Sequence, residues 1–302
     1  MVFGIIEAEY LPFNEKKKRA DMKKRFSITY QNKTEGAQRR FAIASATGFL
    51  ETAFPLSGET LRPEEIVQAR AAGLTVESLR LPSDGVNLLW AASPEKPRPE
   101  NALPSDTPET DDSAWQMLKQ IYASYFNFAM TVGVTRVILT PTLGTGVAPV
   151  SQAGLARFRA LAAMAREKGV RLLIENDQSA PHFEAAVRVV CDGFHGVSFA
   201  PARAWRYFKT SAIPPYATAH LLRISLDDER DGEFGYLPKE GETDFGPLAK
   251  SLAPLHFRGT LAVSPDAQLP LYRDLDTYAL SMRAYDRLCT VLHLFKKEEG
   301  VV

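Results

Sequence analysis

The segment RLLIENDQ, residues 171–178, runs from a mostly apolar stretch into Glu175, Asn176 and Asp177. A buried-strand pattern ending in a carboxylate is how a barrel enzyme delivers an acid, base or metal ligand to its mouth, and a surface turn has the same composition. The two readings separate on whether other strand ends supply partners. Arg80 in SLRLP, Arg203 in SFAPAR and Arg223 in RISLDD lie on other expected strands, as do the hydroxyls of Ser225 and Ser264. A guanidinium stays charged and presents a planar fork matched to carboxylate or phosphate, so their convergence around Glu175 makes an anion-binding pocket. The alternative is that Glu175 pairs with one arginine while the others snorkel to solvent as a network without function.

Positioning such a set requires several strands ending on one face. From residue 24 onward, short β-like runs alternate with amphipathic helical stretches, the pattern of a parallel sheet wrapped by helices. Strands are expected at 25–31, 49–56, 74–82, 135–142, 171–177, 196–203, 221–228 and 259–266. In 151–169, Leu155, Phe158, Leu161, Ala162 and Ala165 recur at helical spacing and Gly169 supplies the stop. A last helix over about 275–296 closes the ring. Eight strand–helix units in roughly 270 residues match a single (β/α)8 TIM barrel, an α/β fold spanning 24–302. Residues 1–23 read as a solvated leader. The proline- and acid-rich stretch 92–113 reads as an exposed loop after strand three, either a lid over the mouth or a disordered insertion.

Composition narrows the function classes. Lys plus Arg equals Asp plus Glu at 36 each, so no net field attracts a polyanion and nucleic acid is not an expected partner. Cys191 and Cys289 sit in apolar helical patterns without CxxC spacing, as expected of buried thiols in a reducing compartment. No run approaches membrane-spanning length and no secretory pattern opens the chain, which together give a cytoplasmic expectation. A homo-oligomer is compatible with the sequence.

The chain resembles the xylose isomerase-like barrel superfamily, which holds sugar isomerases, ketose epimerases and endonuclease-four-type repair enzymes. The resemblance rests on EKGVRLLIEND, HGVSFAPARAW, HLLRISLDDER, LPKEGETDFGPLAKSL and RGTLAVSPD, in that order. It implies a divalent metal (Mn, Mg, Zn or Co) held by a glutamate ending strand five, an aspartate on strand six, a histidine on strand seven and a glutamate on strand eight. Here Glu175 matches, but Ala200 stands at the aspartate, Arg223 and Ser225 replace the strand-seven histidines, and Ser264 replaces the last glutamate. Arg80 and Arg203 likewise stand where the family often has histidine. One carboxylate with neutral hydroxyls is a poor site for a hard cation, so no cofactor is expected unless Asp177, Asp228 or Asp266 joins Glu175 to rebuild the site.

The resemblance implies a barrel acting on or binding a small anionic or neutral sugar, sugar phosphate or sugar acid, with Glu175 as the catalytic candidate. Trp205, Trp90 and Tyr30 fall near strand ends and either stack on a sugar face or plug the rim. A non-catalytic ligand-binding or regulatory barrel is the alternative, and a metal-dependent repair nuclease the third reading. His220 precedes strand seven on the end where barrels keep stability, and His182, His195, His256 and His293 read as surface or packing residues. The glycine-rich LGTGVAP, 143–149, reads as a turn or lid rather than a phosphate cradle, lacking P-loop spacing.

Overall fold

The computed structural model describes residues 25–32, 35–56, 63–91 and 113–300. The leader and nearly all of the 92–113 loop lie outside the described residues, and Ser113 opens a helix instead. Eight parallel strands close into a barrel: β1 (Arg25–Ile28), β2 (Glu51–Pro55), β3 (Thr75–Arg80), β4 (Arg136–Leu139), β5 (Arg171–Glu175), β6 (Gly196–Phe199), β7 (Leu221–Ser225) and β10 (Thr260–Val263). Strand order follows the chain around the ring, and β1 pairs with both β10 and β2 to shut it. Every strand starts within two residues of its expected start but stops earlier than expected. The polar residues after each ladder belong to the loops of the mouth.

The helices are α1 (Ala37–Ala46), α2 (Pro63–Ala71), α3 (Ser113–Thr131), α4 (Gln152–Glu167), α5 (Ala180–Val190), α6 (Pro201–Phe208), α7 (Pro215–Thr218), α8 (Gly246–Leu252) and α9 (Thr277–Glu298). Helix α4 has the ends its sequence specifies: the Ser151 hydroxyl accepts a hydrogen bond from Gly154 N at 3.0 Å, and Gly169 turns the chain at φ 68°. Alternation in the strands divides the core. Leu172, Ile174, Val197, Phe199, Ile224, Leu261 and Val263 face outward into the apolar layer under the helices. Inside the barrel several polar side chains bond across it, Ser27 to Glu77 and Thr260 to Glu51.

Two elements depart from the sequence reading. Residues 201–203 are the first turn of α6, because Pro201 at its start fixes φ and gives up an N–H that a helix start leaves unpaired; Arg203 and Trp205 are therefore helical. Beyond β7 the chain forms an antiparallel hairpin, β8 (Asp228–Arg230) and β9 (Glu233–Tyr236). Asp231 and Gly232 turn it at φ 53° and 88°, and this Asp-Gly pair was a hairpin signal in the sequence. Among the described residues no helix is long and apolar enough to cross a membrane.

Candidate functional site

Glu175 ends β5 with only 1 % of its surface exposed, inside a ring of partners from other strands. Ser198 of β6 donates to Oε2 at 2.6 Å, Arg80 of β3 lies 2.7 Å from Oε1, and Arg223 of β7 lies 3.4 Å from Oε2. Burial would raise the Glu175 carboxyl, but Arg80, Arg223, Arg203 and the Ser198 hydroxyl together hold it below its ordinary value. It is a fixed anion.

Arg223 is the buried centre of the set. Its Nε donates to Glu77 at 2.8 Å, and its Nη1 donates to Ser225 at 2.9 Å and to Ser198 at 3.2 Å. Burial disfavours its charge, yet Glu77 and then Glu175 raise its pKa, so the guanidinium stays ionised. Glu77 was not singled out in the sequence, where it lies mid-strand in TVESLR with no mark of which way it faces. Strand β3 turns it inward.

Arg203 projects from α6 and pairs with Asp177, in the loop after β5. Asn176 clamps this corner: its amide donates to Ala200 O at 2.9 Å and its carbonyl accepts from Ala200 N at 2.7 Å. Arg80 and Arg203 are each about one-third exposed, 33 % and 34 %, whereas their carboxylate partners are buried. Each therefore has one side against the protein and one toward the mouth.

There a cavity of about 490 Å³ opens at the C-terminal ends of the strands. Arg80, Glu175, Arg203, Arg223, Ser225 and Ser264 all line it, together with Tyr30, Phe234 of the hairpin and Asp227. The lining holds three guanidinium groups against two carboxylates, Glu175 and Asp227. Burial pushes the Asp227 carboxyl up to about 6, although Ser264 N donates to it and Arg223 and Arg80 lie nearby.

The neighbouring acids do not join them. Asp228 is fully buried with both oxygens on backbone: Glu229 N and Thr243 N donate to Oδ1 at 2.8 and 3.0 Å, and Gly241 N to Oδ2 at 2.9 Å. Asp266 accepts from Asn32 and Gln268, both at 2.9 Å, and lines no part of the cavity. The sequence reading chose Asp228 over Asp227, but the alternation that sets facing ends with the β7 ladder. Trp205 is not in the lining either. Trp90 is buried against Phe158 and His182 and donates to Pro141 O at 2.7 Å. His182 in turn bonds Ala148 O at 2.8 Å, pinning the glycine-rich loop as a turn.

These residues do not fit a divalent metal. The one surviving carboxylate of the four-ligand pattern already faces Arg80 and Arg223, and a further cation beside it would meet their charge. Asp177, Asp228 and Asp266 are committed elsewhere, and among the described residues no three His, Cys, Asp or Glu side chains group as a metal site.

No protein-family model matches the chain, and no curated protein matches it. Solved structures do. A xylose isomerase domain protein from Planctomyces limnophilus aligns at TM-score 0.56 and 16 % identity, covering 92 % of this chain and 98 % of that one. The IOLI protein, solved with a binding zinc atom, aligns at TM-score 0.65 and 11 % identity over 89 % of this chain and 98 % of that one. A D-psicose 3-epimerase from Clostridium cellulolyticum H10 aligns at 0.60 and 13 %, over 89 % and 99 %. A xylose isomerase-like barrel fused to a 4-hydroxyphenylpyruvate dioxygenase also aligns, and this chain spans 45 % of its length. The fold is the xylose isomerase-like TIM barrel.

Proposed function

We propose that this protein binds a small anionic sugar derivative, a sugar phosphate or sugar acid, at its barrel mouth and holds it with arginine instead of a divalent metal. The observation that carries the reading is the pair Arg80 and Arg203, each backed by a buried carboxylate and facing the cavity. A ligand oxyanion completes the second side of each fork. The sugar class rests on analogy with epimerases of the same fold, which fixes architecture and not chemistry.

The chemistry this reading takes is isomerisation or epimerisation by proton transfer beside a carbonyl. Glu175 is a poor base there, because its charge is held by three arginines. Asp227 suits the role better, with a carboxyl in the cavity wall and a pKa of about 6. Arg80 and Arg223 supply the positive field for the developing oxyanion. The second reading, a binding barrel without turnover, is favoured by the same saturation of Glu175.

The test is calorimetry and thermal shift with sugar phosphates, sugar acids and their neutral parents. Anionic ligands raise the melting temperature in a concentration-dependent way, and Arg203→Ala weakens them roughly ten- to a hundredfold. Equal response to neutral sugars, or full binding by Arg203→Ala, overturns the anion site. Exchange of substrate protons with deuterated solvent, lost in Asp227→Asn while binding persists, separates the two readings. A ligand that binds without exchange leaves the non-catalytic one.

A further inference from the structure

At the opposite end of the barrel, where the strands begin, a second cavity of about 700 Å³ opens between β1, β4, β7 and the segment leading into β10. Its lining includes Arg25, Arg136, His256 and Arg258 and contains no carboxylate. Arg25 is neutralised by Glu51, which it meets inside the barrel. Arg136 is not neutralised in that way. Its Nη1 is buried with no hydrogen-bond partner. Glu51 is held by Arg25 and Thr260; Arg223 and Ser27 meet Oε1 of Glu77, whose Oε2 has no hydrogen-bond partner, and both carboxylates attract Arg136 without a hydrogen bond to it. Burial and the nearby Arg25 lower the Arg136 pKa against that attraction. Arg258 and His256 are exposed at the rim.

A buried guanidinium N–H without a hydrogen-bonding partner is costly, and the N-terminal face of a barrel ordinarily serves stability. We propose that the cavity is a second, separate site that takes the phosphate group of a small molecule, with Arg136 at its floor and Arg258 and His256 at its rim. A doubly charged phosphate matches several converging cations and offers oxygens enough for both arginines. The site is independent of the mouth, because its lining shares no residue with the other cavity.

Inorganic phosphate and glycerol phosphate, titrated at ionic strength matched with chloride, are the probes. Both raise the melting temperature saturably, and tighter binding of the ester assigns a phosphorylated metabolite whereas equal binding assigns the free ion. Arg258→Ala, a surface change, weakens either probe roughly tenfold. Measured in an Arg203→Ala background, where the mouth is weakened, Arg136→Met abolishes the remaining response and does not lower the melting temperature without phosphate, since it removes a buried nitrogen that has no hydrogen-bond partner. Arg203→Ala, which weakens the mouth, leaves a saturable response from the second cavity. A response that survives Arg136→Met and Arg258→Ala but vanishes in Arg203→Ala belongs to the mouth and overturns the proposal. So does an absent response, or a loss of ligand-free stability in Arg136→Met, which would show Arg136 already satisfied within the chain by a group such as Glu77.

Discussion

Arg223 carries the burial of two carboxylates, and its removal exposes what that arrangement costs. Arg223→Met leaves Glu77 and Glu175 buried without their central cation, so urea unfolding at neutral pH shows a loss of about 3–5 kcal/mol. The loss shrinks as pH falls, because the wild type gives up the stability supplied by the lowered Glu175 carboxyl as that group protonates. Asp227 works in the opposite sense to a paired carboxylate. Its folded pKa of about 6 lies above its ordinary 3.8, so its contribution to stability is present below about pH 4 and is lost as pH rises through 6. Asp227→Asn keeps an oxygen to accept from Ser264 N. It matches the wild type near pH 4 and is the more stable by about 2–3 kcal/mol at neutral pH, as denaturation at a series of pH values measures.

The β8–β9 hairpin brings Phe234 and Gly235 to the cavity wall, and Asp228, its first residue, ties it to the loop at Gly241 and Thr243. Three backbone N–H groups depend on this one carboxylate. Gly241, one of the donors, approaches so closely that a Cβ there would lie 2.2 Å from Glu229 O. Asp228→Ala leaves these donors without their acceptor at about 1–3 kcal/mol each where no water replaces it. Hydrogen exchange over residues 228–243 speeds up while the strands of the barrel stay protected, which confines the effect to this element. Faster exchange throughout the barrel would instead make the hairpin part of the global unfolding unit.

At the scale of the whole molecule, the last helix is tied back to the loop that follows the hairpin. Glu240, after β9, accepts from Tyr272 at 2.6 Å and from Arg283 and Arg287 of α9 at 2.7 and 2.8 Å. Burial would raise its carboxyl, but the hydrogen bonds from Tyr272, Arg283 and Arg287 hold it below the ordinary value. A lowered folded pKa gives stability that is present above the unfolded value and lost as pH falls through the folded one. Glu240→Gln therefore lowers the neutral-pH melting temperature and flattens the acid limb of the stability curve. An acid limb unchanged in the variant would show that α9 is held by its apolar face alone.

Local chemistry determined much of this by itself. The alternation of strand and helix, the Ser151 cap and the Gly169 stop are short-range properties, and they specify eight units of the right size for a closed barrel. Polar residues at the ends of apolar runs likewise pointed to Arg80 and Glu175, which end β3 and β5, whereas Arg223, in the middle of β7, was singled out by the family resemblance. Facing beyond those ends was not determined locally, and Asp227 and Asp228 exchanged roles for that reason. Pro201 similarly moved Arg203 onto a helix, although the side chain still reaches the cavity. Glu77 and Arg223 stand 146 positions apart, and the N-terminal cavity joins β1 to the approach to β10. Such partners meet only when the ring shuts, because closure alone brings side chains from strands distant in sequence into one interior.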